Sequence, residues 1–194
     1  MTRSIDFYFD FISPYSYLAH KKLEELNKNN QFNITYKPIL LGGLHNLSGI
    51  TPPAFNERKL KNMKNDCELV AAKNNIKFRW NARFPINSLY LMRGYLSVEN
   101  HIKKKYFDIC FEAYWKDNID IADEKNLNNI LNNIGLDKKN FLQEINDIKI
   151  KDELKRLTSN AFGKDVFGAP TFVVNKKIFW GQDRLDYALE EYIS

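Results

Sequence analysis

Two short segments near opposite ends of the 194-residue chain constrain its fold more than any others: FDFISPYSYLA at residues 9–19 and GAPTF at residues 168–172. The apolar, strand-like run from Ile5 to Ile12 breaks at Ser13-Pro14 into a helical pattern. Ser13 is a natural helix N-cap, and Pro14 suits the first turn, where a missing N–H costs nothing. A side chain at that point faces unpaired N–H groups and the positive end of the helix dipole, which favour an anion. Pro170 opens an apolar strand, a setting in which a cis bond after Ala169 would hold a turn beside a site. Taken separately, Ser-Pro is an ordinary cap and Pro170 an ordinary edge-strand residue. Their order in one chain gives them weight.

Between these ends the pattern begins β-α-β. SIDFYFDF reads as a buried strand, YSYLAHKKLEELNK as a helix with Leu18, Leu23 and Leu26 inward, and FNITYKPIL as a second strand parallel to the first. LGGLHNLSGITPP, at 41–53, is rich in turn formers and predicts a loop leaving the sheet. From about Phe55 to Gly163 the periodicity is helical, with Leu60, Met63, Cys67, Val70 and Ala71 on one face of the first helix and Asn87 capping the next. PTFVVN and KIFW then form a strand pair about a turn at residues 175–177. Asp183 starts a closing helix that packs Leu185, Ala188, Leu189 and Tyr192. β-α-β, a helical block, then β-β-α is the order of an α/β thioredoxin-like fold with a large insertion. The thioredoxin-like part covers 1–44 and 164–194 and the helical insertion 45–163, within a single domain.

Composition narrows the chemistry. Cys67 and Cys110 stand far apart on helical patterns, and His20, His45 and His101 form no ligand spacing, so no metal site is expected. Ser13 and Ser16 occupy the spacing that dithiol oxidoreductases fill with Cys-x-x-Cys, and serines cannot form a disulfide. The net charge of +5 comes from lysines interleaved with Glu and Asp, which points to solvated helix faces rather than to nucleic acid. No apolar run reaches membrane-spanning length, and Arg3 and Asp6 interrupt any signal-like start, so a cytoplasmic protein is expected.

The chain resembles the 2-hydroxychromene-2-carboxylate isomerase family, which is close to kappa-class glutathione S-transferases and shares the DsbA-like fold. FYFDFISPYSYLA, LLGG at 40–43, FPINSLYLMR at 84–93, AYWKDNIDIAD at 113–123, FGAPTFVV and FWGQDRLD carry the resemblance in family order. It implies glutathione as cofactor and a small unsaturated aromatic carboxylate as substrate, isomerised by reversible thiolate addition. By position, Ser13 would hydrogen-bond and activate the glutathione sulfur. Ala169 and Pro170 would pair with its cysteinyl part, Gln182 and Asp183 would hold its γ-glutamyl end, and Lys59 would meet its glycine carboxylate. Arg93 is a candidate for the substrate carboxylate, or a surface ion-pair partner. A homodimer is a common assembly for such relatives.

Each residue also has a simpler role. Asp183 could cap the last helix and Gln182 serve its turn, Lys59 could be one solvated lysine among many, and Trp115 and Trp180 are expected in packing rather than at a ligand. One stretch departs from the family. Where it commonly has a lysine and then Gly-Asn after LGG, this chain has Asn46 and Ile50, with His45 as either a replacement cation or a solvated loop histidine. Asn46 remains a candidate substrate contact. Two other readings compete with the isomerase: a kappa-like transferase, and a thioredoxin-fold binding protein without catalysis.

Overall fold

The computed structural model describes residues 3–194. β1 (Ile5–Phe9) runs parallel to β2 (Ile34–Pro38), with Phe7 beside Tyr36, and antiparallel to β3 (Thr171–Val174), with Phe7 beside Phe172. β3 turns back into β4 (Lys177–Trp180), giving the sheet order β2-β1-β3-β4. Asn175 and Lys176 both have positive φ (50° and 67°), the twist that a two-residue hairpin needs.

Side-chain alternation along β1 divides the core. Ile5, Phe7 and Phe9 enter the main cluster with Phe107, Phe111 and Trp115, while Tyr8 faces a smaller cluster of Ile39, Leu44, Ala161 and Val166. The connection between β1 and β2 is α1 (Pro14–Leu26), which buries Leu18 and Leu23 but leaves Leu26 39% exposed in its last turn, contrary to the sequence pattern.

The expected loop at 41–53 begins as a helix instead, α2 (Leu41–Ser48), ended by Gly49 in the left-handed region (φ 65°). Turn-forming Gly42 and Gly43 conceal it in the sequence. Burial of Leu44 in the smaller cluster and packing on α8 (Ile148–Phe162) hold it in place. The intervening helices are α3 (Glu57–Lys73), α4 (Leu89–Ser97), α5 (Asn100–Trp115), α6 (Glu124–Asn132) and α7 (Lys138–Glu144). α3 buries Met63, Cys67 and Ala71, and Asn87 Oδ1 accepts the Leu89 N–H at 3.0 Å.

A 3-10 turn, Gln182–Arg184, precedes α9 (Leu185–Ile193), which packs on β3 and β4. Neither element receives a side-chain cap, so Asp183 is not the N-cap its position suggests. No helix among the described residues is long and apolar enough to cross a membrane. Cys67 and Cys110 are free and buried.

Candidate active site

The strand-to-helix break brings Ser13 to the head of α1, and the fold lays the segment before β3 across it. Ser13 is 3% exposed. Its Oγ accepts the Ser16 N–H at 3.1 Å as an N-cap and donates to the Ala169 carbonyl oxygen at 2.9 Å. The Ala169-Pro170 bond is cis, as the sequence pattern predicts. Residues separated by 156 positions thus meet through one hydrogen bond. Pro14 has no N–H, and the Ser16 and Tyr17 N–H groups bond Ser13, which leaves the Tyr15 N–H without a partner among the described residues. The sheet ladder begins at Thr171, so the backbone at Gly168 and Ala169 lies outside it.

Ser13 borders a cavity of ≈ 650 Å³. Its floor and near wall include Ile12, Ser13, Tyr15, Gly168 and Ala169, one side is α2 with His45 and Asn46, and the other carries Lys59 and Met63 of α3. Ile50, Phe55, Phe84 and Ile86 add apolar surface. Among the described residues no carboxylate lines this cavity, and Lys59 is the fixed cation in its lining. Burial pushes His45 below the ordinary histidine range, which favours its neutral form near pH 7 and argues against a replacement cation there. A groove of similar size (≈ 670 Å³) beside α1 and α5 contains none of the candidate residues, and Lys21, Glu112 and Lys116 pair along its walls.

Trp180 differs from its expected packing role. Its side chain is 53% exposed and lines the cavity. The ring lies 4.9 Å from that of Phe167, and a Cβ at Gly168 would stand 2.5 Å from the indole Nε1, so only glycine lets the ring lie there. Trp115 is the core residue expected, fully buried and donating through Nε1 to the Phe11 carbonyl at 2.8 Å.

Residues 4–193 match the DSBA-like thioredoxin domain family. A 2-hydroxychromene-2-carboxylate isomerase of Sphingobium xenophagum is 35% identical over 195 residues, covering 100% of this chain and 99% of that protein. The chain belongs to the 2-hydroxychromene-2-carboxylate isomerase family. Human glutathione S-transferase kappa 1 is a more distant relative, 25% identical over 96% of this chain and 89% of its own. The solved structure of a selenomethionine 2-hydroxychromene-2-carboxylate isomerase superimposes with a TM-score of 0.86 at 28% identity, covering 97% of this chain and 93% of that one.

For a member of the 2-hydroxychromene-2-carboxylate isomerase family, the departures at 46 and 50 are well placed to matter. Both Asn46 and Ile50 line the cavity, and both are exposed. Of the other candidates, Lys59 and Ala169 share this lining with Ser13. Pro170 lies beneath it, buried. Gln182 and Asp183 follow Trp180 just outside it, where the Asp183 carboxylate stands 3.5 Å from the Arg184 guanidinium. Arg93, on α4, is not part of the lining, and its Nε is buried without a partner among the described residues. Sequence reasoning gave no place to the lining residues Phe55, Ile86 and Phe167, nor to Asp10, fully buried one turn before Ser13. Its signal was the lone charge in an otherwise apolar FYFDFI run.

Proposed function

We propose that this protein is a glutathione-dependent isomerase of the 2-hydroxychromene-2-carboxylate type, acting on a small unsaturated aromatic carboxylate. The observation that carries the reading is the Ser13 hydroxyl at a helix N-terminus, against the Ala169 backbone, on the edge of a cavity with an aromatic wall and, among the described residues, no carboxylate. The residues present fit glutathione: the Gly168–Ala169 backbone lies outside the ladder, its carbonyls taken by Thr171 and Ser13 but its N–H groups, like that of Tyr15, without partners among the described residues and open to an extended peptide. When bound, glutathione supplies a thiolate able to add reversibly to a conjugated double bond, which permits rotation about what had been that bond.

The chain's own groups prepare that chemistry. Ser13 Oγ–H turns from the Ala169 carbonyl to the incoming sulfur, and with the Tyr15 N–H and the α1 dipole stabilises its charged form. Backbone at Ala169 aligns the cysteinyl part, Lys59 pairs with a carboxylate of the cofactor, and Gln182 and Asp183 meet its γ-glutamyl end. Trp180 and Phe167 present ring faces to a flat substrate, and apolar Ile50, Phe55 and Ile86 exclude water around it. Asn46 offers an amide to the substrate's polar edge. The cytoplasm, rich in reduced thiol, suits such an enzyme.

The deciding assay follows the open-chain product and free glutathione together. Product formed with glutathione undiminished supports the isomerase. A consumed thiol and a stable conjugate would replace it with the kappa-like transferase, and absence of glutathione binding would leave a non-catalytic binding protein.

A further inference from the structure

Asp10 is fully buried and has no ion-pair partner among the described residues. Its Oδ1 accepts the Ile12 N–H at 3.1 Å and its Oδ2 accepts the Leu41 N–H at 2.8 Å. The Ser88 hydroxyl, at the head of α4, faces the same carboxylate and favours its charged form. Through its main chain, Asp10 also accepts the Ser13 N–H at 3.0 Å. Ile12, Leu41 and Ser88 all line the cavity beside Ser13. One side chain therefore ties the loop that carries Ser13 to α2, with the head of α4 against it.

α2 needs that tie. Leu40, at its N-cap, has no capping side chain, and Gly42 and Gly43 occupy its first turn, where each glycine costs about 1 kcal/mol relative to alanine. Asp10 supplies from across the fold the acceptor that a local serine or aspartate would normally give. Two backbone N–H groups on separate oxygens require an acceptor on both, which is what an ionised carboxylate offers. A proton on either oxygen must displace one of the two N–H donors or turn the Ser88 hydroxyl round to accept it.

We propose that Asp10 is the positioning residue of this site, and that its charged carboxylate holds α2, with His45 and Asn46, against Ser13 in the geometry that substrate requires. The proposal rests on the thiol-site reading of Ser13 given above. Burial pushes the Asp10 carboxyl up from its ordinary range, and the hydrogen bonds from Ser88, Leu41 and Ile12 pull it partly back. The groups that face it, from its own loop, α2 and α4, are these three uncharged ones. The titratable side chains elsewhere on the cavity walls are Tyr15, His45 and Lys59. Activity then falls in acid as Asp10 takes its proton, at a pH above the ordinary carboxylate range. The sign for folding is opposite. A carboxyl raised in the fold contributes stability that is full below the unfolded pKa and is lost as pH rises through the folded one.

The test compares pH profiles of kcat/KM for wild type, Asp10→Asn, Ser88→Ala and His45→Gln, with the Leu41 amide followed by NMR across the same range. Asp10→Asn is expected to lose the acid limb and to lower kcat/KM for the aromatic substrate roughly 10- to 100-fold, the scale of a lost hydrogen bond to a buried charge, with glutathione affinity changing less than about threefold. Ser88→Ala, which keeps the carboxylate and serves if the asparagine variant does not fold, moves the limb to higher pH. His45→Gln retains it. The melting-temperature advantage of wild type over Asp10→Asn should shrink as pH rises. An acid limb that survives in Asp10→Asn, stays fixed in Ser88→Ala or disappears in His45→Gln overturns the proposal. A wild type that binds no glutathione, while its Leu41 amide still titrates with Asp10, refutes the thiol-site reading and upholds the hold of Asp10 on α2.

Discussion

Replacing Ser13 by alanine separates two jobs that one hydroxyl performs. In the free protein Oγ caps α1 through the Ser16 N–H and donates to the Ala169 carbonyl. Loss of the cap costs about 1 kcal/mol and loss of the neutral bond about the same, so the variant should be less stable by roughly 2 kcal/mol. For a domain of this size that lowers the melting temperature by about 4–8 °C and leaves the fold intact. The effect on the bound thiol is smaller than a charged hydrogen bond alone would give. Such a bond contributes about 1.5–3 kcal/mol, but the hydroxyl must first give up the Ala169 carbonyl, at about 0.5–1.5 kcal/mol. The difference, on the order of 1–1.5 kcal/mol, is about one pKa unit. Ser13→Ala should therefore raise the pKa of bound glutathione by about one unit, read from its thiolate absorbance in the ultraviolet. A pKa that does not move in a folded variant refutes the role assigned to Ser13. A rise of about two units, the full value of a charged hydrogen bond, shows instead that the hydroxyl never left the sulfur for Ala169.

Trp180→Ala should raise KM for the aromatic substrate roughly 5- to 10-fold, the scale of a lost ring pair, while Trp180→Phe stays near wild type in steady-state kinetics. Far from the site, His20 Nε2 lies 3.0 Å from Asp108 and 3.4 Å from Glu24. Burial alone would raise Asp108, but bonds from His20 and Lys104 outweigh it and hold the carboxyl below its ordinary range. Stability from such a group is present above the unfolded pKa and lost as pH falls through the folded one, so Asp108→Asn should cost about 1–3 kcal/mol at neutral pH and converge with wild type in acid denaturation curves. Restoring the family side chains, Asn46→Lys with Ile50→Asn, should raise turnover of a hydroxychromene carboxylate more than it raises glutathione affinity. A lysine there adds a cation in a partly desolvated cleft, and a double variant that gains only cofactor affinity would contradict this account.

What the sequence disclosed followed from local rules. Ser13 was readable because a cap bonds residues three positions away, and the β1 face because alternation is a property of neighbouring residues. Pro170 was readable from its place before an apolar strand. The contact between Ser13 and Ala169 needed the order of elements as well, since no local rule spans 156 positions. Three features stayed hidden for a common reason. The cap of α2 comes from Asp10, 31 positions earlier, so LGGLHN carries turn formers and no helix signal. Trp180 turns toward the cavity because Gly168, on the preceding strand lead, makes room for its ring. Leu26 continues the apolar stripe of α1 into a last turn that runs past the core.

The same distinction bears on how this site can change its substrate. Asn46 and His45 ride on α2, whose placement depends on a carboxylate outside the helix, whereas Ser13 keeps its own bonds to Ser16 and Ala169. Substitutions on α2 and at Asp10 share one mechanical element, so their effects should not add. In an Asp10→Asn background, Asn46→Lys with Ile50→Asn should lose most of its gain in turnover, because the new lysine would sit on a helix no longer held against the thiol. Ser13→Ala, acting through the sulfur, should combine with the double variant nearly additively in kcat/KM. Equal gains from the double variant with and without Asp10 would show that α2 is held by Leu44 packing alone, and that the buried carboxylate has no part in aiming the substrate.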